Sequence, residues 1–131
     1  MNQIHILHVV ECAGGVDRYL RMLLTYMDRS RFDQTLVCSR DFNRDAYLPF
    51  VDRFESVDMC NSLSPRKDAK AVMTVRRIVK RCSPDIVYCH SSKGGGIGRL
   101  ACIGLRVPVL YNPHVWAFSM RGSKVKSFVY L

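Results

Sequence analysis

Nowhere do apolar residues run on for the ~20 positions that a membrane-spanning helix needs. No basic leader, apolar leader core or small-residue cleavage site precedes the first apolar segment, Ile4 to Val10. From these absences a cytoplasmic chain is expected. None of the six cysteines, at 12, 38, 60, 82, 89 and 102, belongs to a CxxC pair or has a histidine at metal-ligand spacing. All fall in or beside apolar segments, so they read as buried, reduced thiols and not as zinc ligands or a disulfide framework. No Gly-Lys-Ser or Gly-Lys-Thr stands where a Walker-type phosphate loop would need it. Ala13-Gly14-Gly15 is not GxGxxG, and no acidic residue closes the second strand at the usual distance, which disfavours a plain dinucleotide-binding module. Ser-His-Asp sets, paired carboxylates and metal clusters are missing as well, so no metal is expected.

Acidic residues are scarce. Eleven Asp and Glu face 20 Lys and Arg, a formal charge of +9. Such an excess suits an acidic partner: nucleic acid, anionic lipid or a phosphorylated ligand. No aromatic-flanked basic motif or zinc-finger spacing supports recognition of nucleic acid, so that partner is not expected.

With 131 residues and 48% hydrophobic content, the chain can bury one core, and a single domain over 1–131 is expected. Ile4 to Val10 reads as a first strand and Glu11 to Gly15 as a turn. Val16, Tyr19, Leu20, Leu23, Leu24 and Met27 then follow helical spacing, ending near Asp28 to Ser30. Gln34 to Cys38 is a second strand. A short helix is expected to start near Pro49 and to bury Phe50, Val51 and Phe54. A poorer strand follows over Glu55 to Met59. From Asp68 an amphipathic helix runs to Cys82, where Ser83-Pro84 stops it. Its apolar stripe is Ala71, Val72, Val75, Ile78, Val79 and Cys82, while Lys70, Arg76, Arg77, Lys80 and Arg81 fall on the other side. That basic face is either a solvated surface or an attachment to anionic lipid. Asp85 to Cys89 and Val107 to Tyr111 are further strands, and Lys124 to Leu131 begins another helical pattern. Strands alternating with helices predict an α/β fold, a Rossmann-like parallel sheet with helices on both faces.

The centre of this pattern is Tyr88-Cys89-His90-Ser91-Ser92-Lys93-Gly94-Gly95-Gly96-Ile97-Gly98. It reads as strand, loop and helix entry. Its glycines either let a phosphate or carboxylate approach the helix N–H groups, with Lys93 adding charge, or only allow close packing of helix on sheet. In a parallel sheet the strand ends share one edge, so Glu11 to Gly15, Ser39 to Asp41, His90 to Gly96 and Asn112 to Phe118 should meet in a cleft with an apolar wall from Trp116 and Phe118. His90 and His114 each follow a strand, and His114, held between Pro113 and an aromatic run, is favoured as the reactive imidazole. His5 and His8 lie inside the first strand and read as core or interface.

Three segments in order, Val9 to Tyr19, Pro84 to Gly95 and Val107 to His114, resemble the amino-terminal domain of retaining GT-B glycosyltransferases, in particular those that build bacterial capsular, exopolysaccharide and lipopolysaccharide chains. The resemblance implies an acceptor-binding half that faces a second domain across a cleft. It implies a nucleotide sugar as substrate with no separate cofactor, and an acceptor that is a growing, lipid-linked cell-surface polysaccharide. It places Gly14 and Gly15 near the donor diphosphate, and the helix-entry reading above adds Lys93, Gly94 and Gly95 as a further anion-binding set. His114 lies near the transferred sugar as the catalytic residue, and Glu11, His90, Ser91, Ser92 and Trp116 line the acceptor cleft. Enzymes of this kind need a carboxyl-terminal donor domain, which 131 residues do not hold. The last segment stops within a helical pattern, so truncation or a completing partner chain is expected. The chain alone should then be inactive, and the other reading is a non-catalytic binding or regulatory subunit of the same fold. A location at the inner face of the cell membrane, held peripherally by the basic helix, would fit either.

Overall fold

The computed structural model describes residues 2–11, 14–60 and 62–113. Among these described residues nine elements follow one another: β1 (Ile4–Val10), α1 (Gly14–Tyr26), β2 (Phe32–Cys38), α2 (Arg44–Tyr47), β3 (Arg53–Ser56), α3 (Pro65–Cys82), β4 (Ile86–His90), α4 (Ser92–Ala101) and β5 (Val109–Asn112). The strands form one five-stranded sheet in the order β3-β2-β1-β4-β5. Every pairing is parallel, with Val10 opposite both Cys38 and His90, and His90 opposite Asn112. The expected α/β class is what the chain adopts.

Strand alternation divides the core in two. Leu7, Val9, Val37, Val87 and Cys89 point to one face and pack with Ala71, Val75, Ile78 and Val79 of α3 and with Ile97 and Ala101 of α4. Val10, Leu36 and Cys38 point to the other and pack with Leu20 and Leu24 of α1 and Tyr47 of α2. Right-handed crossovers require this division, because the chain moves one way across the sheet from β1 to β3 and the opposite way from β3 to β5. Leu20 and Leu24 are essentially inaccessible, and each such side chain contributes about 1.5–3 kcal/mol of burial.

Several boundaries differ from the expected ones. Helix α2 precedes Pro49 instead of starting there. The Asn43 side chain accepts from Asp45 N at 3.1 Å and opens the helix early, and Pro49, having no N–H, cannot extend it. Val51 and Phe54 are buried as expected, but from outside a helix. β3 lies at Arg53–Ser56, two to three residues ahead of the reading, because Leu36 pairs with Phe54 and Cys38 with Ser56. Val57 and Met59 still bury, against the α3 side.

Helix α3 begins at Pro65, three residues before the expected Asp68. Proline suits a first helical position, and the Asp68 carboxylate reaches back to accept from Ser64 N at 3.3 Å. Its end is as read, with Ser83 in a left-handed conformation at φ 46 ahead of Pro84. The largest difference concerns the glycine stretch. Ser92 to Gly96 is not loop but already the start of α4.

Candidate functional site

The sheet order reverses between β1 and β4. From β1 the chain leaves toward α1 on one face, from β4 toward α4 on the other, and the carboxyl ends of these two strands open the crevice in which sheets of this kind bind ligands. Glu11 follows β1 and is 4% exposed. Burial, reinforced by the carboxylates of Asp41 and Asp68 and opposed by Lys93, raises its pKa above the ordinary range. Ser91 opens α4 from the other side of the crevice. Its φ of 66 is unusual for a non-glycine residue, and its hydroxyl both donates to Glu11 O at 3.1 Å and accepts from Gly94 N at 3.3 Å. One serine thus ties the end of β1 to the start of α4, and the strained backbone is held by two bonds.

At α1 the helix begins with Gly14, and Gly15 is exposed, with nothing within 4 Å of where a Cβ would stand. Packing does not require a glycine at 15, so free approach to the α1 entry is preserved there. Asp17, in the first turn, pairs with Arg21 at 2.5 Å and accepts from the Tyr47 hydroxyl.

Three of the four glycines of α4, Gly94, Gly95 and Gly98, serve packing. A Cβ on Gly94 would sit 3.1 Å from Glu11 N and 3.2 Å from Val10 Cα, one on Gly95 would overlap the Tyr111 ring, and one on Gly98 would overlap Cys89 Sγ. Gly95 N is already bonded to Ser91 O at 2.8 Å. Lys93 is 8% exposed; its ammonium pairs with Asp68 at 2.8 Å and donates to Ser62 O at 2.7 Å, fastening α4 to the start of α3. Of the two readings of the stretch from Lys93 to Gly95, the structure realises close helix-on-sheet packing. At the second anion set expected there, the Lys93 ammonium is already paired with Asp68 and Gly95 N already bonded to Ser91 O.

His90 is a second correction. Instead of following the strand and lining an acceptor cleft, it is the last residue of β4 and wholly buried. Its Nε2 lies 3.1 Å from His8 Nδ1, and His8 Nε2 lies 2.7 Å from Gln34 Oε1. An amide oxygen can only accept, so His8 carries its proton on Nε2 and receives the proton of His90 Nε2 at Nδ1. Desolvation lowers the His8 pKa to about 4. His5, on the opposite face, meets Thr35 Oγ1 at 2.7 Å. Reading His5 and His8 as core residues agrees with this placement.

Beside the histidine chain lies a group that sequence reasoning missed. Tyr19 of α1 and Tyr88 of β4 bring their hydroxyls to 3.1 Å, and Asn112 Nδ2 donates to Tyr88 at 3.3 Å. Only alternation could have found it, since Tyr88, His90 and Asn112 all point to the α1 face. Ser92, expected in the cleft, is the half-buried first residue of α4. His114 and Trp116 lie outside the described residues. Among the described residues no three His, Cys, Asp or Glu side chains gather as a metal site.

A family model described as Glycosyltransferase Family 4 matches residues 13–130. The chain belongs to that family. An Escherichia coli relative, UDP-Gal:alpha-D-GlcNAc-diphosphoundecaprenol alpha-1,3-galactosyltransferase, is 31% identical over 133 residues, a match that covers 98% of this chain and 34% of the relative. The chain therefore spans about a third of the length of the curated relative it matches. Among solved structures, the lipopolysaccharide outer core galactosyltransferase WaaB superposes with a TM-score of 0.65 at 20% identity, over 98% of this chain and 37% of that one. A UDP-N-acetylglucosamine 2-epimerase superposes with a TM-score of 0.68 at 16% identity, over 97% of this chain and 37% of that one. At such identities the superpositions show the fold alone, and the fold does not choose between transfer and epimerisation. What the family 4 member shares with these proteins is one Rossmann-like half of a GT-B fold.

Proposed function

We propose that this domain is the acceptor-side half of a retaining glycosyltransferase that moves a sugar from a nucleotide sugar to a growing, lipid-linked cell-surface polysaccharide such as capsule or lipopolysaccharide. The family match over residues 13–130 carries the reading, and the reversal of sheet order between β1 and β4 supports a site beside Glu11 and the α1 entry. The E. coli relative's name describes galactose transfer to a diphosphoundecaprenol-linked GlcNAc, which supports a lipid-linked acceptor.

In this reading the leaving diphosphate comes to the amino end of α1 at Gly14 and Gly15, where helix N–H groups carry partial positive charge and exposed Gly15 leaves room. His114 stands near the transferred sugar, and Trp116 and Glu11 bound the acceptor side. The nucleotide sugar is a substrate, and no separate cofactor is invoked. A carboxyl-terminal donor domain, in the same protein or on a partner chain, completes the cleft. Until it does, the diphosphate would remain in water, where the preorganised electrostatics that supply much of catalysis cannot form. The domain works at the cytoplasmic face of the membrane, held peripherally, and no helix among the described residues is long and apolar enough to cross it.

The test is transfer of radiolabelled sugar from UDP- and GDP-sugars to a lipid-linked acceptor. We expect none with residues 1–131 alone, and turnover when a matching donor domain is supplied and His114 is intact. Turnover unchanged by His114→Ala would remove that residue from the mechanism. Tight acceptor binding without turnover in the completed protein would instead favour a non-catalytic subunit.

A further inference from the structure

Beside α3, on the flank that faces the carboxyl ends of β2 and β3, a groove of about 1030 Å³ opens to solvent. Five cations line it, Arg40, Arg66, Lys67, Lys70 and Arg77, against the single carboxylate of Asp58. None of the five is in an ion pair among the described residues, whose pairs involve Arg21, Arg29, Arg53, Arg81 and Lys93. Met73, 56% exposed, adds an apolar side, above the buried Val57.

This differs from the basic helix face read in the sequence. Arg76 is spent on the end of α4, donating to Ala101 O at 3.1 Å and Ile103 O at 2.5 Å. Arg81 is spent on Glu55 at 2.6 Å. What remains of the carboxyl-terminal half of that face is Lys80, while Lys70 and Arg77 join Arg40, Arg66 and Lys67 around the groove. The free positive charge is therefore gathered toward the amino-terminal half of α3, at the same sheet edge as the crevice.

We propose that this groove seats the phosphate-bearing headgroup of an anionic membrane lipid, with Met73 against the upper part of the lipid. Unpaired cations around a concavity match a compact, multiply charged anion, and an exposed methionine beside them matches a ligand that also has an apolar part. The inference rests on, and deepens, the membrane part of the function proposed above. It assigns the contact to the amino-terminal half of α3 and so turns the crevice edge toward the bilayer, where a lipid-linked acceptor would be presented.

The experiment is vesicle co-sedimentation of the purified protein, with phosphatidylcholine alone and with phosphatidylglycerol added, at low and high salt. Arg66→Gln with Lys70→Gln is compared with Arg31→Gln and Arg106→Gln, which remove equal charge at the opposite, amino-terminal edge of the sheet. Each cation near an anionic surface contributes a factor of about five, so the groove pair should lose roughly 25-fold in affinity and the control pair much less. Unchanged urea midpoints establish that the variants fold.

Equal losses in both pairs, no loss in either, or equal binding of the unaltered protein to uncharged vesicles would overturn the proposal. Binding of inorganic diphosphate without any vesicle binding would also overturn it, since the groove would then hold a free anion. Sedimentation is read without turnover, so the two proposals fail separately. Vesicle binding by a protein that transfers no sugar even when a matching donor domain is supplied would sink the proposed reaction and leave the groove, and transfer to a water-soluble acceptor without vesicle binding would do the reverse.

Discussion

Replacing single glycines of α4 by alanine separates the two roles its glycine stretch could have. Gly96 and Gly98 both lie inside the helix, so each Gly→Ala change gains the same helix propensity, about 1 kcal/mol. Their surroundings differ. At Gly96 a Cβ meets nothing within 4 Å, whereas at Gly98 it would overlap Cys89 Sγ and also stand 3.4 Å from Val9 Cβ. Cys89 and Val9 are central in the sheet and fully buried, so neither can move aside without disturbing β1 or β4. Overpacking of this kind costs about 1–3 kcal/mol.

Gly96→Ala should therefore stabilise the protein by about 1 kcal/mol, and Gly98→Ala should fall below Gly96→Ala by about 1–3 kcal/mol. The propensity gain cancels in that difference, leaving the steric cost of bringing helix and sheet apart. Urea unfolding of the two variants beside the parent protein measures it. Two variants of equal stability, both above the parent, would mean that α4 does not lie on Val9 and Cys89 as described.

Three further outcomes are expected. His8, held at a pKa of about 4 against the ordinary 6.5, binds its proton less readily folded than unfolded, so its contribution is complete above about pH 6.5 and is lost as pH falls toward 4. That amounts to about 3 kcal/mol at 1.36 kcal/mol per unit, and equal urea midpoints at pH 7 and pH 4.5 would contradict it. Leu24→Ala, at a site 1% exposed under α1, should cost about 2–5 kcal/mol, and a loss below 1 kcal/mol on the same urea scale would mean that α1 is not seated on the sheet. Lys93→Met keeps the bulk of the side chain but leaves Asp68 without its 2.8 Å partner and Ser62 O without its donor. It should lower the urea midpoint while leaving phosphate affinity, read by chemical-shift titration, unchanged, and the opposite pattern would restore an anion-binding role.

Much of the fold was legible because the apolar residues carry it. β1 and β4 are nearly continuous apolar runs, as strands covered on both faces must be. The stripe of α3 gave its buried side residue by residue, and Ser83-Pro84 gave its end. What sequence reasoning misplaced was set by contacts that are not local. β3 sits where Leu36 pairs with Phe54, a match that the weak apolar content of residues 53–59 does not announce. α2 starts where Asn43 caps it, and Pro49, which can open a helix, here closes one. The glycines of α4 looked like loop because glycine disfavours helix interiors. Tertiary packing on Val10, Cys89 and Tyr111 overrode that preference.

The histidine chain shows why the candidate site was only partly legible. Both His8 and His90 stand at ordinary strand positions, and what joins them is register: Val10 lies opposite His90 and His8 opposite Tyr88, bringing two imidazoles 82 positions apart to 3.1 Å. A polar pair so deep is stable only when every proton has an acceptor, and Gln34 from the neighbouring strand supplies the terminal one. The chain thus crosses β2, β1 and β4 just below the point where β1 and β4 part. On the other face Gly94 and Gly98 press α4 against the same two strands, and at their ends Ser91 bonds to Glu11 O. The fork that opens the crevice is clamped from both faces by contacts that leave little freedom to slide. A rigid fork with an unpacked Gly15 at its rim is the arrangement expected where a ligand must meet fixed N–H groups, and the buried contacts of His90, Lys93, Gly94 and Gly95 hold that fork in place.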